Sequence, residues 1–263
     1  MSVLINDKID NLLKSTSRSF YPTLKYLPKK VRGQIGLLYL LARVADTIAD
    51  SKHGDTEELL RLLRSYNDVA QGKSGILPDF SSLAEIQENP HEAELLRNVE
   101  DVVEGLQVYT EEDRERMLEC LGIIVSGQIL DLERFGPANE GGNISALNDN
   151  FELDDYTFRV AGCVGVFWTK MSLAHIISIP PEQEEEFFEK GVRFGKALQM
   201  INILRDIPED LRFGRCYIPL QELEKHGMNP DDLLTPNNIG KFRPLYDEYL
   251  DLTNEHLDAA IEY

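Results

Sequence analysis

Between Phe194 and Pro219 the sequence reads FGKALQMINILRDIPEDLRFGRCYIP. Gln199, Asn202 and Asp206 stand at i, i+3 and i+7, so a helix carries all three on one face. Asp210 comes one further turn along with Glu209 beside it, while Leu198, Ile201, Leu204 and Arg205 fall on the other faces. Three carboxylates within five residues repel one another wherever the dielectric is low. A cation among them removes that cost. Hard divalent cations, Mg²⁺ above all, take oxygen ligands and share them with substrate phosphates. Asp206 and Asp210 are therefore candidate Mg²⁺ ligands. Arg205, Arg212 and Arg215 flank them as candidate phosphate ligands.

Val31 to Asp50 has the same construction. VRGQIGLLYLLARVADTIAD is a strongly apolar helical pattern that places Arg43, Asp46 and Asp50 at i, i+3 and i+7. Acid pairs at helix spacing are common on solvated faces, but charges rarely sit on apolar helices without partners. Two such pairs, each with arginines near, are expected to face each other across a cavity and to bridge Mg²⁺ to a diphosphate. The rival of another class is a catalytically silent helical protein that binds partners through an acidic surface. It requires Asp46, Asp50, Asp206 and Asp210 to be exposed and independent.

Further elements must position these groups. The chain has 263 residues, enough for one large domain or two small ones, and 42% of them are hydrophobic. No strand alternation or solenoid-period repeat appears, so the fold is expected to be all-α, a single bundle of roughly ten helices around a central apolar cavity. Residues 1–14 read as a short amphipathic helix. The hydroxyls of Ser15 to Ser19 fit either a helix cap or a phosphate site. Asp55 or Thr56 caps a helix bearing Leu59, Leu60, Leu62 and Leu63, and residues 71–81 read as loop. Helical patterns resume over 82–88, 91–108 and 111–136. On the last of these Gln128 and Asp131 lie one turn apart, on either a cavity wall or a solvated face. Residues 136–150 read as a loop and candidate lid. Asp154 or Asp155 is expected to cap a helix starting near Tyr156. Its Ala161, Gly162 and Gly165 bare the backbone for close approach by a helix or a ligand chain, at about 1 kcal/mol per glycine against alanine. The next helix spans 182–206, and Pro208 is expected to kink or end it, loosening the alignment of Asp210 with Asp206. A final helix runs from about 238 to Tyr263 without a stop signal.

The net charge of −19 excludes nucleic acid, which requires a basic surface, and disfavours anionic lipid. An anionic substrate must then be held by local arginines and metal ions. Cys120, Cys163 and Cys216 show no pairing pattern, which suits a reducing compartment. No segment reaches the ~18 apolar residues of a membrane span, and no signal peptide is evident. The expectation is a soluble, cytoplasmic protein that rests on a membrane surface to deliver an apolar product.

Four pieces, in order, carry a resemblance: SRSF at Ser17–Phe20, RVADTIAD at Arg43–Asp50, YTFRVAGCVG at Tyr156–Gly165 and QMINILRDIPEDLRFGRCYIP at Gln199–Pro219. The sequence resembles the squalene/phytoene synthase family, the head-to-head prenyl diphosphate synthases. The resemblance implies the isoprenoid synthase fold and the condensation of two farnesyl diphosphates through presqualene diphosphate. It implies Mg²⁺ on Asp46, Asp50, Asn202, Asp206 and Asp210. Diphosphate contacts would come from Ser17, Arg18, Arg43, Arg205 and Arg215, with Gln199 placing the acceptor. Tyr156 would point into the reaction cavity, where it steadies a cation or takes a proton; the released diphosphate is the other candidate base. Phe167 to Met171 and the TIAD of the first motif resemble bacterial squalene synthases, which add NADPH reduction. Phytoene or dehydrosqualene synthases, which lose a proton instead, are the near alternative. A head-to-tail elongase is disfavoured because Ala45, not aspartate, precedes Asp46. Further helices follow in the family, so the chain is expected to be truncated.

Overall fold

The computed structural model describes residues 6–17, 20–51, 55–137, 143–261 and 263. The chain divides into two compact units, residues 1–132 with 170–179 and residues 133–169 with 180–263. In the first lie α1 (Asp7–Ser17), α2 (Phe20–Tyr26), α3 (Lys29–Ala49), α4 (Thr56–Ala70), α5 (Ser81–Glu85), α6 (Pro90–Arg97), α7 (Val99–Glu104) and most of α8 (Glu111–Phe135). Its core follows from spacing. Leu37, Leu40, Leu41, Val44 and Ile48 of α3 repeat at three and four residues and are fully buried. Met117, Leu121, Val125 and Leu132 form the matching stripe on α8. Asp55 caps α4 by accepting from the Glu58 N–H at 2.8 Å.

The second unit holds the two-residue strand β1 (Ser145–Ala146), α9 (Asn150–Thr157), a π-helical turn over Phe158–Gly162, the first half of α10 (Cys163–His175), α11 (Glu184–Arg212), β2 (Arg215–Cys216), α12 (Leu220–Lys225) and α13 (Ile239–Ile261). Its core gathers Leu153, Met200, Ile203, Leu204, Leu211, Leu245 and Tyr249. A Cβ on Gly165 would come within 1.9 Å of the Gly191 carbonyl oxygen, and one on Gly195 within 2.2 Å of the Ala161 carbonyl oxygen. The bare backbone of the 156–165 motif is thus used for helix packing against α11.

Several local expectations are corrected. Pro208 does not end its helix: α11 runs through it to Arg212. The ring costs one backbone bond, to the Leu204 carbonyl, but Leu204 and Leu211 on either side are buried and keep the turn in place. The α9 helix starts at Asn150, not near Tyr156. Asp149 is its cap, accepting from the Glu152 N–H at 2.9 Å. Asp154 and Asp155 instead bind Lys196 at 2.6 Å and Arg159 at 2.8 Å. The loop before it is partly tied down. β1 pairs in parallel with β2, and Leu147 is fully buried. Residues 138–142 of the candidate lid lie outside the described residues. No helix among the described residues is long and apolar enough to cross a membrane.

Candidate functional site

The first acidic motif lies on α3. Thirteen of its residues are buried, so the charged positions Arg43 and Asp46 are held against protein rather than in open water. Asp46 is 31% exposed at its side chain, and its carboxyl is pushed up to about 7. Burial is the largest cause and the nearby Asp50 charge the next. Arg43 and a hydrogen bond from Gln128 act in the opposite sense. Gln128 Nε2 donates to Asp46 Oδ1 at 2.5 Å, and Arg43 Nη1 lies 3.9 Å from Asp46 Oδ2. Asp50 caps the end of α3 and is exposed. It borders a cleft of about 160 Å³ with Ser51, Gln87, Glu88, Asn89 and Glu92.

Arg43 is already engaged. Its Nη2 donates to Glu92, whose Oε1 also accepts from Asn89 Nδ2 at 3.0 Å. Burial by itself would lower the basicity of Arg43, but Asp46 and Glu92 raise it above the ordinary arginine value. The Arg43 Nε is buried with no hydrogen-bond partner among the described residues. Glu92 was not singled out in the sequence because it sits on a short helix with no motif around it. Gln128 carried a clear signal: it is an amide within the apolar stripe of α8. Asp131, one turn on, is 3% exposed, which removes the solvated-face reading.

The second acidic motif behaves differently. On α11, Gln199 is half-buried and Asn202 exposed. Their amides approach only at 3.5 Å, Asn202 Nδ2 towards Gln199 Oε1. Arg205 grips Asp206 with two bonds, Nε to Oδ1 at 2.7 Å and Nη2 to Oδ2 at 2.5 Å. That hydrogen-bonded pair holds the Asp206 carboxyl below the usual aspartate value. Asp210 and the buried Arg215 border one small crevice with Cys216 and Tyr217. Burial there pushes the Cys216 thiol up to about 12, with a further rise from the Asp210 charge. Phe194, Leu198 and Ile201 form an exposed apolar row along the same helix.

Tyr156, in the last turn of α9, is 7% exposed and stacks on Tyr217 with ring centroids 4.6 Å apart at 20°. The π-helical turn begins two residues later, and such turns concentrate at functional sites. Tyr217 was missed, although an aromatic residue two places after Arg215 was visible in the sequence. Ser17 is the last residue of α1, not part of a segment leading into the next helix. Its hydroxyl donates to the Leu13 carbonyl at 2.5 Å, as Thr16 does to Leu12 at 2.7 Å. Arg18 lies outside the described residues.

No group of three or more His, Cys, Asp or Glu side chains among the described residues is set to hold a metal. Mg²⁺ does not require one, since it is commonly held by one or two carboxylates together with substrate phosphates and water. The raised Asp46 carboxyl beside Asp50 fits such an ion, because a cation relieves both the burial cost and the like-charge repulsion.

A family pattern described as squalene/phytoene synthase matches residues 13–263. The chain is similar to presqualene diphosphate synthase of Zymomonas mobilis, with 30% identity over 216 residues, 82% of this chain and 60% of that one. It is similar to 15-cis-phytoene synthase of Synechocystis sp., with 25% identity over 256 residues, 93% of this chain and 64% of that one. A squalene synthase structure from Alicyclobacillus acidocaldarius superposes with a TM-score of 0.62 at 16% identity, covering 97% of this chain and 84% of that one. At that identity the likeness bears on fold alone, and the fold is the all-α isoprenoid synthase fold. The chain spans 38% to 64% of the length of curated relatives such as these.

Proposed function

Because the chain belongs to the squalene/phytoene synthase family, we propose that it is a prenyltransferase joining two farnesyl diphosphates head to head. The observation that carries this reading is the first acidic motif on α3, where Asp46, one turn from Asp50, accepts from Gln128 Nε2 at 2.5 Å and lies 3.9 Å from Arg43. A carboxyl raised to about 7 by burial and by Asp50 is an unfavourable site for a bare anion and a favourable one for an anion that shares a cation.

Asp46 and Asp50 on α3 would hold Mg²⁺, as would Asp206, Asp210 and Asn202 on α11. Bound Mg²⁺ supplies the positive charge that makes the donor diphosphate a good leaving group. Arg43, Arg205 and Arg215 neutralise the remaining phosphate charge, with Arg18 as a further phosphate contact; Ser17 could join them only by giving up its bond to the Leu13 carbonyl. Arg43 Nε, buried with no hydrogen-bond partner among the described residues, has a donor to offer. Breaking the donor C–O bond leaves an allylic cation and free diphosphate. The acceptor's double bond then attacks the cation. Loss of one proton closes a cyclopropane, giving presqualene diphosphate. Gln199 orients the acceptor, while Phe194, Leu198 and Ile201 offer an apolar row against which prenyl chain excludes water. Tyr156 steadies the cation with its ring face. Either Tyr156 or the released diphosphate receives the proton.

The finer reading is squalene synthase, with NADPH as hydride donor for the second half-reaction; no residue of this chain is assigned to NADPH. The likeness to presqualene diphosphate synthase favours a second reading in which the reaction stops at that intermediate. Phytoene and dehydrosqualene formation are the non-reductive branches. The test is incubation with farnesyl diphosphate and Mg²⁺, with and without NADPH, followed by mass spectrometry of the products. Squalene formed only with NADPH is the expected result. Presqualene diphosphate or dehydrosqualene regardless of NADPH moves the protein to the second reading. Turnover of geranylgeranyl diphosphate alone makes it a phytoene synthase. No turnover of either substrate defeats the prenyltransferase reading.

A further inference from the structure

The first acidic motif has a neighbour that neither the motif nor its spacing supplies. Gln128 comes from α8, 82 positions along the chain from Asp46. It is half-buried and lies at helix spacing beside the buried Leu121, Val125 and Leu132. Its amide donates to Asp46 Oδ1 at 2.5 Å. The other carboxylate oxygen, Oδ2, faces Arg43 at 3.9 Å. Each oxygen of Asp46 therefore has its own neighbour, and rotation of the carboxylate breaks the closer contact. Residues in this relation to a metal-binding side chain commonly fix its orientation and are worth about 10- to 100-fold in metal affinity or activity.

We propose that Gln128 is a positioning residue for the first acidic motif, holding the Asp46 carboxylate in the orientation from which it takes a divalent cation together with a diphosphate. This rests on the metal-binding reading given to Asp46 above. The side chain has the length and the polarity for the task. Leucine fills similar space without a donor, glutamate presents a like charge to Asp46 and Asp50, and asparagine keeps the amide but draws it back by one methylene.

The test measures Mn²⁺ binding in the presence of inorganic diphosphate by electron paramagnetic resonance of the free ion. It uses the full chain, Asp46→Asn, and the variants Gln128→Leu and Gln128→Asn. Each Gln128 variant is expected to bind Mn²⁺ about 10- to 100-fold more weakly than the unaltered chain. Their metal-free thermal midpoints should stay close to its own. If Gln128→Leu does not fold, Gln128→Asn, which keeps the amide and adds no charge, decides the matter. Unchanged Mn²⁺ affinity in a folded Gln128 variant overturns the inference, provided Asp46→Asn has lost affinity. A raised KM for farnesyl diphosphate at unchanged Mn²⁺ affinity also overturns it, because the amide would then serve the substrate and not Asp46. Equal Mn²⁺ binding by the unaltered chain and Asp46→Asn is a different failure: it removes the metal-binding reading of the motif itself.

Discussion

The two acidic motifs look alike as sequence and differ as chemistry. In RVADTIAD, Asp46 is crowded, its carboxyl raised by burial and by Asp50. In NILRDIPED, Asp206 is gripped by the adjacent Arg205 and its carboxyl lowered. The difference is one of counter-charge. Arg205 is mostly exposed and reaches back over its own neighbour, whereas Arg43 turns towards Glu92 and stays 3.9 Å from Asp46. One motif is short of positive charge and the other is supplied with it. In the proposed reaction, then, the first motif would gain a cation outright. The second would exchange an internal ion pair for a metal, which would free Arg205 for phosphate.

The strongest way to break this comparison is to neutralise each acid. Asp46→Asn and Asp206→Asn should each reduce product formation by at least about 100-fold, since even residues that only orient a metal ligand cost 10- to 100-fold. Steady-state assay checks this; near-normal turnover by either variant removes that acid from the machinery. Their metal-free stabilities should differ in sign. The folded-state carboxyl of Asp46 lies at about 7, above its ordinary value of 3.8. Its contribution is therefore favourable below pH ~4, is lost as pH rises through 7, and leaves a cost at pH 8. Asp46→Asn should stabilise the metal-free protein at pH 8 by on the order of 2 kcal/mol, a figure discounted for partial exposure of the carboxyl, and the gain should fade towards pH 4. Asp206→Asn should give no such gain. Chemical denaturation at the two pH values separates them.

A third acid supplies the control, because its counter-charges are complete. Asp113 is buried and accepts from Gln34 Nε2 at 2.9 Å, Arg116 Nη1 at 2.8 Å and His175 Nε2 at 2.8 Å. Burial by itself would raise its carboxyl, but these partners outweigh it and lower the value. Here the stabilisation is present above the ordinary aspartate value near 4 and is lost as pH falls through the lowered one. Asp113→Ala should cost about 3 kcal/mol at pH 7, the scale for breaking a buried charged pair, and progressively less in acid. A flat difference between pH 7 and pH 3 in urea unfolding would contradict this.

The smallest effect sharpens the second motif. Arg205→Ala should leave the thermal midpoint unchanged, since exposed ion pairs contribute little. If Arg205 competes with the metal for Asp206, the variant should need a few-fold less Mg²⁺ for half-maximal rate while its KM for the diphosphate substrate rises. Movement of both in the same direction would mean that Arg205 and the metal do not compete.

Much of this was legible in the residues. Helix positions followed from apolar spacing, Asp55 was readable as a cap, and the motif positions were plain. What was not legible depended on partners distant in the chain. Of the kink or end expected at Pro208, the end did not occur: α11 continues to Arg212, with Leu204 and Leu211 buried on either side of the proline. The expected cap at Asp154 or Asp155 failed because Lys196 and Arg159 claim those carboxylates. Glu92 and Gln128 could not be tied to Arg43 and Asp46 by any spacing rule.

The sequence by itself determined the helices, the family and which residues could carry charge chemistry, because helical periodicity, capping and motif order are properties of neighbouring residues. Only the tertiary structure decided the electrostatic state of Asp46, Asp206 and Asp113. That state depends on how much water the fold removes and on which distant side chains it brings to within a hydrogen bond. Gln34 reaches Asp113 across 79 positions of the chain, and Gln128 reaches Asp46 across 82.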